Sequence, residues 1–419
     1  MAQTYKFGNG TWATKEGSTL AYNDQNEKYK PLPFSFERDS IATRVNKEGL
    51  IEIVGNDIPR IDYTDSAEGA LLLENSATNL VTHSEDFNNS YWTKNGSSVT
   101  SGFTSPSGDT SAFKLVEDTS NGQHYIEVSS LSILNTTKHT LSFYVKYNGV
   151  QFIRIFSSAL NSFTYFDVLN GSIGSTTAES NNIELLSNGW YRCEMTDESI
   201  STSTNFKISL AESDGVVVYI GDGTNGVQIF GAMLEANSFS TSYIPTNGST
   251  VQRAAETCNE SGNSEVFNSQ EGILYVRMNA FDNISRISLS DGSTSNRVSF
   301  KIIDDNIDFQ YRVGGNYSYR VNVDVNNYLT NKILISYNNG LFVGYLNGFA
   351  ISDKISGTSL GDGVINRLNL NDGDVSDGFK GRIKEIGYYN EIFTDLELEK
   401  LTSYRSLNEM VTELNLNAL

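Results

Sequence analysis

Hydrophobic and polar residues alternate with period two along most of this chain, which is the mark of strands with one buried face. The segments His124 to Val128, Thr140 to Lys146, Phe152 to Phe156, Gly189 to Met195, Asn205 to Leu210 and Val216 to Ile220 all read this way. Turns rich in Gly, Asn, Asp and Ser separate them, so residues 76–250 are predicted to form one β-sandwich. A second series comprises Glu271 to Met278, Ile284 to Leu289, Arg297 to Ile303, Ile307 to Val313, Lys332 to Tyr337 and Leu341 to Leu346. It predicts a second sandwich over 262–405. Asn347-Gly348 marks a hairpin turn. The stretch Gly231 to Glu235 reads as the closing strand of the first sandwich. It is followed by an exit loop that Pro245 biases to extended geometry.

The ends of the chain differ from this pattern. Residues 1–75 have short extended pieces, such as Leu50 to Val54, and too few apolar positions to bury a core alone. They are expected to be an attachment segment that docks onto something else. Arg38, Arg44 and Arg60 stand out there and are expected to tie down nearby carboxylates. Helix is scarce. Thr394, with Glu397 three residues later, predicts a capping box, and Leu396, Leu398, Leu401 and Tyr404 supply the helical face. Residues 406–419 are left as a C-terminal tail. The fold class is therefore all-β: two consecutive antiparallel sandwiches after an irregular N-terminal segment, with a short helix near the end.

Composition narrows the function. Aromatic residues make up 11% of the chain and charged ones 19%, with 5 prolines, which suits many short strands. The formal net charge is -20, and no basic cluster is visible. That argues against nucleic acid as a partner and against an anionic membrane surface. No apolar run reaches the length of a membrane span, so no membrane insertion is expected. No secretion signal is visible at the N-terminus. The two cysteines, Cys193 and Cys258, lack metal-ligand spacing. Cys193, in a strand-like run, reads as a small core residue; a disulfide between the two stays open.

Candidate chemistry is sparse. The loop Asn371 to Gly378 places Asp372, Asp374 and Asp377 around glycines, where carboxylates can wrap a hard cation, so calcium is the possible cofactor. It lacks the closing glutamate of an EF-hand loop. The alternative is a solvated turn in which the aspartates cap backbone N–H groups. Asp222 and Asp304-Asp305 are weaker candidates of the same kind. For sugar binding, Tyr311, Tyr317 and Tyr319 lie on one predicted hairpin with Gly314-Gly315-Asn316 at its tip. Cross-strand aromatic packing is the competing explanation. No catalytic residue is assigned. The histidines His83, His124 and His139 are dispersed, no nucleophile elbow or phosphate loop occurs, and no carboxylate pair is singled out, so an enzyme is not expected.

Wording along the chain adds a resemblance. The phrase from Gly231-Ala232-Met233-Leu234-Glu235 through Thr241 to Thr246 and Arg253 to Glu256 resembles the close of carbohydrate-binding-module-like sandwiches in phage and prophage virion proteins. So does the N-terminal series Phe34 to Arg38, Ala42 to Asn46, Pro59 to Tyr63 and Leu71 to Glu74. Phe87 to Trp92 resembles the opening of such a module, where Trp92 would pack near the sandwich edge. Ile333 to Gly340, Asn347-Gly348 and Phe379 to Ile386 resemble a concanavalin-A-like or laminin-G-like domain. The resemblance implies a non-enzymatic phage virion protein, a tail or head fibre, assembled in the bacterial cytoplasm. It would be a homotrimer held to virion proteins through its N-terminal segment, displaying its sandwiches for host-surface glycan or protein recognition. A purely structural decoration protein and a surface-polysaccharide depolymerase are the alternatives.

Overall fold

The computed structural model describes residues 2–6, 12–21, 33–281, 284–303, 306–325, 331–374, 376 and 378–413. The fold is all-β and antiparallel, as the alternation predicts, and the chain divides into two units. Unit 1 comprises Met1–Asp39, Gly55–Asn75 and Ala255–Leu419; unit 2 comprises Ser40–Val54 and Ser76–Ala254.

In unit 1 a nine-stranded sheet faces a five-stranded one. The first is built around Glu271–Ala280, Gly381–Tyr389 and Asn331–Asn338. The second runs in the order Asn316–Asp324, Asn306–Val313, Arg297–Ile303, Ile284–Ser290 and Arg367–Asn369. Their inner faces share one core: Leu274, Val276, Ile333 and Ile383 from one sheet, and Ile287, Val298, Phe300 and Phe309 from the other. The Asn347-Gly348 hairpin forms as expected, with φ of 48° and 92°, the left-handed values that a tight two-residue turn needs.

The N-terminal segment docks, as its few apolar positions imply, and its partners are the larger bodies of the same chain. Leu71, Leu72 and Leu73 pair in register with Ile383, Arg382 and Gly381, and Arg60–Asp62 adds the next strand. Phe34, Phe36, Ile61, Leu71 and Leu73 are at most 1% exposed in the unit 1 core. Residues 40–54 belong to unit 2 instead. These few apolar residues cannot make a core alone, so they complete the cores of the larger bodies.

Within unit 1, charged residues fasten these segments. Arg38 Nη1 lies 2.8 Å from Glu256 Oε1, and Arg60 Nε donates to the same oxygen at 2.8 Å. Arg60 Nη2 also reaches Glu256 Oε2 and, at 2.8 Å, Glu74 Oε2. All four side chains are buried. Burial alone lowers the Arg60 pKa, but Glu256 and Glu74 more than offset it and hold the guanidinium charged. Arg38 also donates to the carbonyls of Gly55 and Ile58, and its own N–H donates to Asp57 Oδ1 at 2.7 Å. Arginines expected to neutralise their own segment therefore bind a glutamate about 200 positions away. Within the segment itself, Arg60 also pairs with Glu74, and Arg44 lies 3.3 Å from Glu52.

Unit 2 is a sandwich of two six-stranded sheets. Its core holds Ile126, Phe143, Ile153, Phe206 and Ile229, with Trp92 inside it and 1% exposed. The Trp92 indole N–H donates to the His83 carbonyl at 2.9 Å. The closing strand runs Gly226–Glu235, and Glu235 ends it buried. Its carboxyl accepts from the Thr241 N–H at 2.8 Å, the Thr241 hydroxyl at 2.9 Å and Asn237 Nδ2 at 2.8 Å. Burial outweighs those bonds and pushes the carboxyl from 4.5 up to about 7. A carboxyl that holds its proton more tightly folded than unfolded favours the folded state most below pH 4.5. That contribution fades as pH rises through about 7, and is worth about 3 kcal/mol at roughly 1.4 kcal/mol per pH unit. Glu235→Gln should therefore flatten the loss of unit 2 stability between pH 5 and 8, measured by denaturant melts. An unchanged slope would show that Glu235 is ionised in the fold.

Cys193 and Cys258 are both free and lie in different cores, so the open disulfide does not form. Thr394 caps the helix Asp395–Thr402 in a full capping box, and Leu398 is its buried anchor. Part of the expected tail, Leu407–Glu413, is a second short helix whose Glu409 pairs with Lys332 at 2.7 Å. Among the described residues, no helix is long and apolar enough to cross a membrane.

Candidate functional site

The five-stranded sheet of unit 1 turns one face to the core. The other face is polar but covered at its centre, where Ser288, Ser290, Arg297, Ser299, Asp308 and Gln310 are at most 1% exposed, and it is accessible at its hairpin edge around Tyr317. Register places Arg367, Ser290, Arg297, Arg312 and Tyr317 in one row across the five strands. The next row is Asn369, Ser288, Ser299, Gln310 and Arg320. Arg286, Lys301, Asp308 and Asn322 follow. At about 4.8 Å between strands, each full row spans roughly 19 Å.

A continuous polar network fixes these side chains. Asp372 Oδ1 sits 2.6 Å from Arg297 Nη1 and 3.0 Å from Arg286 Nε. Arg297 Nη2 donates to Gln310 Oε1 at 3.1 Å, and Gln310 Nε2 donates to Asp308 Oδ2 at 2.7 Å. Arg320 closes on Asp308 with Nε and Nη2, each 2.9 Å from Oδ2. Burial and the neighbouring Arg286 and Arg312 lower the Arg297 pKa, which Asp372 opposes.

At the sheet edge the Tyr317 ring lies between two guanidinium groups, 4.9 Å from that of Arg312 and 4.7 Å from that of Arg320. Arg320 has a carboxylate partner. Arg312 donates to the Gly315 carbonyl and has no carboxylate partner among the described residues. Gly314 and Gly315 turn the hairpin with positive φ, and Gly314 N–H is held by Asn296 Oδ1 at 2.8 Å. The opposite edge opens into a cleft of about 480 Å³ lined by Glu37, Glu260, Arg367, Asn369, Asn371 and Asp374 among others. Amides and carboxylates of this kind suit hydroxyl groups.

The predicted tyrosines separate. Tyr317 is 45% exposed, but Tyr311 and Tyr319 are core residues at 0% and 1% and cannot form a platform. The cause is a bulge. Tyr311 pairs with Tyr319 while Arg312 pairs with Tyr317, so Ser318 is the extra residue and the two tyrosines fall on opposite faces. Tyr311 and Tyr319 instead pack on Phe342, with ring centroids 4.5 Å and 5.9 Å away.

Of the predicted cation ligands, Asp372 and Asp374 have other partners. Asp372 faces two guanidinium groups, which oppose a cation there. Asp374 accepts from the Ser376 N–H at 2.8 Å and from its hydroxyl, as in a capped turn. Asp377 and Asp304-Asp305 lie outside the described residues. Asp222 caps its own turn through the N–H groups of Thr224 and Asn225. Among the described residues, no group of three or more His, Cys, Asp or Glu side chains is arranged to hold a metal.

The arginines and Gln310 stand outside the aromatic pattern that marks a sugar platform. The signal was there: Arg297, Ser299, Lys301 and Asp308, Gln310, Arg312 alternate with the apolar core residues.

No protein-family model matches this chain, and no curated protein matches it. Several solved structures share the architecture. The chain is similar to carbohydrate-binding-module and laminin G sandwiches. The CBM40 domain of the Ruminococcus gnavus IT-sialidase is 17% identical over 34% of this chain and 93% of its own, with a TM-score of 0.29. Domains LG4-5 of the mouse laminin alpha1 chain are 10% identical over 64% and 86%, with a TM-score of 0.24. The tandem CBM22 domain of Paenibacillus barcinonensis Xyn10C is 10% identical over 75% and 98%, also with a TM-score of 0.24. These are likenesses between β-sandwich folds and extend to no ligand or residue role.

Proposed function

We propose that the chain is a non-enzymatic recognition protein that binds a glycan at the Tyr317 edge of the unit 1 sheet. The observation that carries this reading is the exposed Tyr317 ring held between Arg312 and Arg320 on a rigid hairpin. An aromatic ring offers a flat surface to a sugar's C–H face, and the Arg312 and Arg320 guanidinium groups beside it supply donors to its hydroxyls. The setting proposed is a phage virion, with the protein as a trimeric tail or head fibre attached at its N-terminal region and presenting this face to the host surface. That setting rests on the resemblance in the sequence.

Glycan-array binding by the full chain, repeated with Tyr317→Ala, tests the reading. The substitution should cost about 2 kcal/mol of binding to the bound glycans and leave the melting temperature nearly unchanged. Equal binding by the variant would remove Tyr317 from the site, and a large drop in melting temperature would make it a structural residue.

A further inference from the structure

Unit 2 carries a second built face that the Tyr317 reading does not use. In its sheet of strands Tyr125–Ser132, Ser203–Ala211, Phe152–Ser157 and Ser162–Asp167, Ile126, Ile153, Phe166 and Ile208 point into the core. Their neighbours in sequence point the other way. Register then aligns Tyr125, Ser209, Arg154 and Tyr165 in one row and Glu127, Lys207, Phe156 and Phe163 in the next.

Arg154 lies against rings on this face, its guanidinium 5.6 Å from the centre of Phe156 and 5.9 Å from that of Tyr165. Its Nε is buried without a hydrogen-bond partner, and so is the Ser209 hydroxyl directly across from it. Among the described residues Arg154 has no carboxylate partner, although the chain carries 50 acidic residues against 30 Lys and Arg. The other cation of the face is satisfied: Lys207 sits 3.1 Å from Glu127 Oε2 and 4.1 Å from the Tyr125 ring centre. A buried donor and a buried hydroxyl left unpaired side by side are costly and call for an explanation.

We infer that this row binds the carboxylate of an acidic saccharide. Arg154 would take the carboxylate through its guanidinium fork. Phe156, Phe163 and Tyr125, which are partly exposed, would flank the sugar ring. A uronic acid offers both halves of this match in one residue, a planar anion and an apolar C–H face. The inference is independent of the unit 1 site.

The test is calorimetric titration of the full chain with oligogalacturonate and with its methyl ester, which keeps the sugar and removes the charge. Binding of the acid should be at least tenfold tighter than binding of the ester and should weaken with salt. Arg154→Ala should weaken acid binding at least tenfold, Arg154→Lys by less, and Tyr317→Ala not at all. Equal affinity for acid and ester, no binding of the acid, or full binding by Arg154→Ala would each overturn the inference. If Arg154→Ala lowers the melting temperature, Arg154→Gln serves in its place, and the comparison of acid with ester needs no variant. Loss of binding through Tyr317→Ala alone would assign the ligand to the unit 1 face and overturn this site.

Discussion

Glu256→Ala should destabilise unit 1 by about 3–5 kcal/mol, the range for breaking a buried ion pair from one side. The carboxylate is shared by Arg38 and Arg60, and it also accepts the Glu74 N–H at 2.9 Å. Removing it takes a carboxylate from two buried guanidinium groups; Arg60 keeps Glu74, and Arg38 keeps the carbonyls of Gly55 and Ile58. Glu256→Gln should cost a similar amount, because it keeps the shape and loses the charge. Replacing the whole cluster with apolar residues of similar volume should cost far less, since the penalty comes from stranded charge. Equilibrium denaturant unfolding measures this directly. A loss below about 1 kcal/mol would place the cluster with solvent-screened surface pairs, and its burial would have to be reconsidered.

A chain that begins at Ser76 should fail to fold unit 1. It lacks Arg38, Arg60 and Glu74 and six strands of unit 1, and it lacks Phe34, Phe36, Ile61, Leu71 and Leu73 from the core. Five such side chains at about 2 kcal/mol each remove roughly 10 kcal/mol, comparable to the whole stability of an ordinary domain. Limited proteolysis should then cut the 255–413 region rapidly. A protease-resistant unit 1 without residues 1–75 would show that the N-terminal strands are decoration.

The outcome follows what alternation can and cannot carry. Period-two patterning made both sandwiches legible, because apolar and polar positions alternate along their strands. The Asn347-Gly348 dipeptide located the hairpin, and the spacing of Thr394 and Glu397 located the cap. The N-terminal strands were not legible as parts of larger bodies. Leu71 to Leu73 complete a sheet whose partner strand lies about 300 positions away, and nothing local records that pairing. Glu256 lies in a locally polar stretch, and its buried partners Arg38 and Arg60, about 200 positions away, leave no signal in the spacing. On the candidate face, the single extra residue Ser318 overturned the tyrosine set by switching the face of everything beyond it. Asp372 looked like a cation ligand because its two arginines are contributed by other strands.

The most direct test of the recognition face is a double-mutant cycle on Tyr317 and Arg312, with binding to an array-identified glycan measured by calorimetry. If the ring and its guanidinium neighbour act as one recognition element, Tyr317→Ala and Arg312→Ala each weaken binding, and the double variant loses less than the two single losses added together. Strict additivity would contradict that coupling, and unchanged binding in both single variants would contradict the site itself.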